Sequence, residues 1–127
     1  MTIPFWCLFA GCVIPFLLSA SSGYFRAQQF GSADNKNPRA QQAALEGTGA
    51  RLVAAQKNAW EALAIFTAAV AVNSLHGYGE GWLSGVLALV WLGARILHPI
   101  FYVYDLDKLR SLIFLVGFAC SLALFFV

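Results

Sequence analysis

Two stretches of this chain place ionisable and amide side chains inside otherwise apolar sequence. The first holds Arg51, Asn58 and Glu61, and the second holds Arg95, His98 and Tyr102; Arg110 opens a third apolar run. At about 100° per residue on a helix, Arg51, Asn58 and Glu61 fall within an arc of roughly 80°, and Arg95, His98 and Tyr102 within roughly 60°. Each trio therefore shares one helix face. Three guanidinium groups at one depth exceed what the single carboxylate of Glu61 neutralises, so the surplus charge points to an anionic ligand. Arginine forks match carboxylate geometry. The plainer reading keeps Glu61 and Arg95 as a buried ion pair between two helices, since polar groups also hold membrane helices together. Lys57 then only snorkels to the interface. His98 has no second His or Cys at ligand spacing, which argues against a metal site.

The elements that must carry these residues are apolar helices. Hydrophobic residues make up 60% of the 127 residues and charged residues 11%. A soluble domain carries about 25% charged residues to cover its surface, so lipid is the expected solvent. The net charge of +2 is too small and too scattered for a nucleic-acid partner. Cys7, Cys12 and Cys120 lie in apolar runs without metal spacing and read as small hydrophobes.

The spacing predicts an all-α integral membrane fold, a single domain of four transmembrane helices at about 3–23, 38–75, 80–104 and 108–127. A cleaved signal peptide competes for the first run, because Leu18-Ser19-Ala20 resembles a cleavage site. The basic segment that should precede it is missing. Asn37-Pro38 reads as a helix start. Gly47 and Gly49 mark a bend or a close helix approach, which the sequence leaves open. The residues His76 to Gly81 read as a tight turn, and Asp105 and Asp107 as N-cap candidates. Pro99 removes one backbone hydrogen bond and is expected to kink its helix near Arg95. Gly117 and Ser121 form a small-x-x-x-small pair that lets helices approach.

Arg26, Lys36, Arg39, Lys108 and Arg110 lie at connections on one side, while the loop between the second and third helices has no Lys or Arg. The positive-inside rule puts the basic loops in the cytoplasm and both termini outside, with Trp6, Tyr78 and Trp82 near the outer interface and Tyr102 and Tyr104 near the inner one. The polar site then opens toward the cytoplasmic side of the inner leaflet.

Arg51-x-x-x-Ala55-Gln56-x-Asn58-x-x-Glu61 resembles the signature of the MAPEG family, the membrane-associated proteins in eicosanoid and glutathione metabolism. Arg95-Ile96-x-His98-x-x-x-Tyr102 and Arg110-Ser111-Leu112-x-Phe114-x-x-Gly117 are similar to the second and third family motifs. Asn37-Pro38-Arg39 and Leu45-Glu46-Gly47 resemble the bacterial branch, placing the chain in the bacterial inner membrane, and the likeness extends to microsomal glutathione transferases. The resemblance implies a four-helix bundle assembled as a homotrimer, with glutathione as cosubstrate held between subunits near the cytoplasmic face. It implies that Asn58 and Glu61 hold the peptide and its amino group, that Arg51, Arg95, His98 and Tyr102 line the pocket, and that Arg110 is the catalytic arginine that stabilises the thiolate. The sequence departs from the motif at Ala54, where many members carry a second arginine, and at Ala64 and Ile65, where many carry proline.

Two functions follow as expectations. One is a glutathione transferase or peroxidase acting on hydrophobic electrophiles delivered from the bilayer. The other is a non-catalytic protein on the same scaffold that binds an anionic lipid head group at the basic pocket, or serves as an accessory subunit of a larger membrane complex. A transporter or channel reading has little support, because no pair of helices is discontinuous.

Overall fold

The structure is a computed structural model that describes residues 1–127. Five helices and no strand make up the chain: α1 (Ile3–Phe30), α2 (Pro38–Ala43), α3 (Gly47–Leu75), α4 (Trp82–Val103) and α5 (Asp107–Ala123). Of these, α1 and α4 are long and apolar enough to cross a membrane. Side chains such as Phe9, Phe16, Leu17, Leu89, Val90, Ile96, Leu112 and Leu115 stand exposed around the bundle. An apolar exterior of that extent suits hydrocarbon rather than water.

The helix boundaries differ from the sequence expectation where backbone chemistry intervenes. The first helix continues past residue 23 to Phe30, because its polar last turns still satisfy backbone bonds, and ends at Gly31 in the left-handed region (φ 85°). The segment expected as one helix over 38–75 is two. Gly47, with φ 58°, starts α3 at an angle to α2. Gly49 supplies a close approach: a Cβ there would lie 3.0 Å from the Cβ of Phe25 and 3.1 Å from Cδ2 of Leu45. One glycine thus makes the bend and the other the contact. Neither Asp105 nor Asp107 caps α5; Leu106 holds the N-cap position and Asp107 lies in the first turn. Asn37 stands at the N-cap of α2 without a side-chain bond, and Pro38 occupies the first turn.

The long helices interlock around two cores. In the larger one, Phe66 of α3 and Trp91 of α4 stack with ring centroids 3.6 Å apart, among Cys7, Leu63, Ala69, Val70, Ala88, Cys120 and Leu124. Gly11 of α1 makes room for Trp91, since a Cβ there would meet Cη2 at 2.7 Å. The smaller core joins Leu18, Leu52 and Ala55, with Tyr102 and Val103 packed on it. Helix α4 runs on through Pro99 to Val103; the carbonyl that Pro99 leaves without its helical partner is that of Arg95.

At the opposite end from the basic connections, the buried Asn73 donates to Ser84 Oγ at 3.0 Å and to the carbonyl of Val127, and Ser84 Oγ donates to the Tyr78 carbonyl at 2.9 Å. At the basic end, α1 is stapled to α2 and its approach loop. Arg26 donates to Gln41 Oε1 at 3.2 Å, and Gln42 donates to Ser22 Oγ at 3.3 Å. The platform that carries the polar trios of α3 and α4 is therefore fixed at both ends.

Candidate functional site

An open groove of about 500 Å³ runs between α3, α4 and α5. Its wall on α3 is Ala54, Lys57, Asn58 and Glu61; on α4, His98 and Tyr102; on α5, Arg110, Ser111, Phe114 and Leu115. Each set repeats at three or four residues, the spacing that puts side chains on one helix face. The groove thus receives Asn58, Glu61, His98, Tyr102 and Arg110 of the residues singled out by sequence.

Arg110 lies in the first turns of α5, and its guanidinium carbon sits 4.3 Å from the ring centroid of Tyr102. A cation on an aromatic face gains about 0.5–2 kcal/mol, depending on exposure. The stack holds the arginine at the groove wall while its N–H donors remain free for a ligand. The His98 ring lies 5.7 Å from the Tyr102 ring, edge on, and is itself only 4% exposed.

Arg95 sits behind this wall and is 4% exposed. Its Nη1 donates to Asn58 Oδ1 at 3.1 Å, whereas Nε and Nη2 have no hydrogen-bond partner. The ion pair with Glu61 expected in the plainer sequence reading is absent; Asn58 takes the guanidinium instead, and Glu61 stands exposed in the groove. The unpartnered edge of Arg95 lies against α5 at Gly117, where a Cβ would come within 3.1 Å of Nη2. Gly117 therefore exists to admit a guanidinium, a tighter demand than general helix approach.

Arg51 does not reach the groove. Its Nε donates to the Val103 carbonyl at 3.2 Å and its Nη2 to Thr48 Oγ1 at 3.3 Å. It shares the face of Asn58 but lies seven residues, about 10 Å, further along the axis. There it meets the end of α4, and fastens α3 to α4 below the groove floor.

Lys57, Ser111, Phe114 and Leu115 also line the groove and are not among the candidate site residues of the sequence, although Ser111 and Phe114 stand in its third motif. The helical-face argument would have found Phe114: with Arg110, Gly117 and Ser121 it spans roughly 60° of α5. Lys57 carried a signal, adjacency to Asn58, but its long stem let it be assigned to the interface.

A second hollow of about 330 Å³ adjoins the groove and shares Ala54 and Lys57 with it. Arg39 and Gln42 of α2 complete its polar lining, Arg39 donating to Gln42 Oε1 at 2.9 Å. The combined trough carries Arg39, Lys57 and Arg110 as cations and Glu61 as its carboxylate. Such a set suits an elongated ligand with more than one anionic group and one cationic group.

The sequence matches the description of the MAPEG family over residues 3–127. The chain belongs to the MAPEG family. It is accordingly an integral membrane protein of a family concerned with glutathione and eicosanoid metabolism. No curated protein and no solved structure matches it. In this MAPEG chain the three motif segments of α3, α4 and α5 meet at one groove, and one departure from the motif, Ala54, lines both the groove and the hollow beside it.

Proposed function

We infer that this protein is a membrane-bound glutathione transferase or peroxidase that acts on hydrophobic electrophiles. The observation that carries the reading is the groove itself, in which Asn58, Glu61, His98, Tyr102 and a ring-stacked Arg110 line one trough beside apolar Phe114 and Leu115. Glutathione has two carboxylates, one ammonium and a thiol. Glu61 takes the ammonium, Asn58 the peptide, and Lys57 and Arg39 the carboxylates. Lys57 and Arg39 stand in for the arginine that Ala54 replaces. Arg110 faces the sulfur, because a nearby guanidinium lowers a thiol pKa from about 8.5 and the thiolate is the nucleophile. His98 and Tyr102 close the wall, Arg95 fixes Asn58 from behind, and Arg51 supports the frame.

In this reading α1, α3, α4 and α5 all cross the bilayer and form the four-helix bundle, with the basic connections in the cytoplasm and both termini outside. The protein is a homotrimer of the bacterial branch, in the inner membrane, and the exposed face of α3 with Lys57, Trp60, Glu61 and Ala64 meets a neighbouring subunit.

A second reading, a non-catalytic scaffold protein that takes an anionic lipid head group or a partner subunit, is favoured by Ala54 and by the openness of the trough to Arg39 and Lys57. Titration of the detergent-purified protein with glutathione, read as thiolate absorbance in the ultraviolet at neutral pH, separates the two. A saturable signal that is lost in Arg110→Ala supports the enzyme. No signal and no binding at millimolar glutathione refutes it and leaves the lipid or partner.

A further inference from the structure

The hollow of about 330 Å³ lies between α2 and the first turns of α3, at the end of the bundle that carries the basic connections. Its lining holds two cations, Arg39 and Lys57, and no carboxylate, whereas the groove beside it includes Glu61. The rest is mostly apolar, with Leu45, Ala50 and Val53 among its walls. At about 30 Å³ for the share of one water, it holds roughly eleven heavy atoms.

A relay of side chains holds the guanidinium of Arg39 beside this space. Ser22 Oγ donates to the Ser19 carbonyl at 2.8 Å and accepts from Gln42 Nε2 at 3.3 Å; Gln42 Oε1 in turn accepts from Arg39 Nη1 at 2.9 Å. Gln42 is 7% exposed, so the relay is anchored in the packed interior while Arg39 itself stands exposed. Both ends of the Gln42 amide are thereby engaged, and no other side-chain amide lines the hollow to receive a peptide. What it offers is two cations beside apolar walls. That combination suits an amphiphile with an anionic head, as basic pockets on the cytoplasmic side of membrane proteins do.

We propose that this hollow binds the phosphodiester of an anionic phospholipid, with Arg39 and Lys57 on the phosphate oxygens, and that the bound lipid competes with glutathione. An arginine fork matches phosphate geometry, and lysine adds a point charge. The phosphodiester and glycerol backbone fill the space, and the acyl chains lie outside it in the bilayer. Arg39 and Ala43 are exposed on α2, not on the α3 face assigned to a neighbouring subunit, and leave the head group a way in. Lys57 also lines the groove, so a phosphate on Arg39 and Lys57 takes both cations assigned above to the glutathione carboxylates. The lipid is then a regulator of the thiol site and not a replacement for its ligand. Lipid binding stands on the hollow alone, whereas the competition rests on the glutathione reading.

The test uses the full chain in detergent, titrated with phosphatidylglycerol or phosphatidylcholine and read by native mass spectrometry as the Kd of the first lipid retained. Phosphatidylglycerol is expected to bind more tightly. Arg39→Gln weakens it about fivefold, the share of one cation near a membrane surface, and Ala43→Trp, which fills the hollow without removing a charge, abolishes the preference. Lys36→Gln removes a cation from the same connection but outside the hollow and leaves the preference unchanged. No preference for phosphatidylglycerol, or an equal loss in Lys36→Gln, overturns the lipid site. Millimolar sn-glycerol 3-phosphate, which carries the phosphate without the chains, is expected not to displace the lipid; displacement would assign the hollow to a soluble phosphate and overturn the proposal. Competition is read as the glutathione Kd from the thiolate titration, which is expected to rise with added phosphatidylglycerol and not with phosphatidylcholine. No rise, or an equal proportional rise in Arg39→Gln, overturns the competition. Failure of glutathione to bind without added lipid refutes the glutathione reading and the competition with it, while the lipid titration still decides the site.

Discussion

The bond from Arg95 to Asn58 joins the frame of this protein to its proposed chemistry, and a double-mutant cycle measures it. Arg95 has one polar partner, Asn58 Oδ1 at 3.1 Å, and is 4% exposed. Between transmembrane helices an average hydrogen bond couples by about 0.6 kcal/mol, because the unfolded chain in the membrane finds other partners. A bond from a charged donor contributes about 1.5–3 kcal/mol. The lower figure underestimates this pair, since two further N–H groups of the same guanidinium already lack partners. A coupling of about 1.5–2 kcal/mol is therefore expected between Asn58→Ala and Arg95→Met. The assay is reversible unfolding in mixed micelles of increasing sodium dodecyl sulfate, followed by tryptophan fluorescence for the wild type, both single variants and the double variant. The same bond fixes the amide of Asn58, leaving its NH2 for the groove. Arg95→Met is consequently also expected to weaken glutathione binding, even though Arg95 lies behind the wall. Additive variants, with coupling below about 0.5 kcal/mol, refute the pairing. Coupling without any change in glutathione affinity refutes its role in orienting Asn58.

Three further outcomes follow from the geometry. Gly11→Ala puts a Cβ 2.7 Å from the Trp91 ring, and overpacking of that kind is expected to cost about 1–3 kcal/mol in the same unfolding assay. Arg39→Ala and Lys57→Ala, each in the trough extension, are expected to raise the glutathione Kd by about tenfold or less apiece, as losses of partly exposed charge contacts; titrations at low and high salt should show the wild type more salt-sensitive than the double variant. Ala54→Arg restores a cation at the floor between the two hollows and is expected to tighten glutathione binding, measured by the thiolate titration, while making Arg39→Ala nearly silent.

Much of the fold was legible because the apolar runs were long and the periods unmistakable. The run from Trp82 carries its charges late, and the structure forms α4 over Trp82–Val103 with Arg95 and His98 on its buried face. The break between α2 and α3 was not decided by sequence. Ala, Gln and Leu favour helix on both sides of it, and the bend depends on one dihedral at Gly47 that only the packing of Leu45 and Phe25 against Gly49 makes worthwhile. The N-cap reading of Asp105 and Asp107 failed for a related reason. Asp105 takes φ 57° to turn the chain after α4, which shifts the start of α5 beyond the reach of its side chain as a cap.

The site shows where angular reasoning stops. Projection down a helix axis ranks residues by direction and discards height. Arg51 and Asn58 share a direction, but at Arg51's height the neighbour is the carbonyl end of α4, so the guanidinium caps Val103 instead of facing a ligand. Charge counting had the complementary weakness. Three arginines against one glutamate looked like one cationic pocket. In the structure the three are spent differently: Arg51 on backbone, Arg110 on the face of Tyr102 in the groove, and Arg95 on Asn58 with an edge left over. The excess positive charge is therefore divided between an open trough, where Lys57 and Arg39 join Arg110, and the packed interior, where Arg95 lies against Gly117. Cations open to water favour a polar, multiply charged ligand, whereas a guanidinium in the packed interior serves the frame through the one bond it makes, to Asn58.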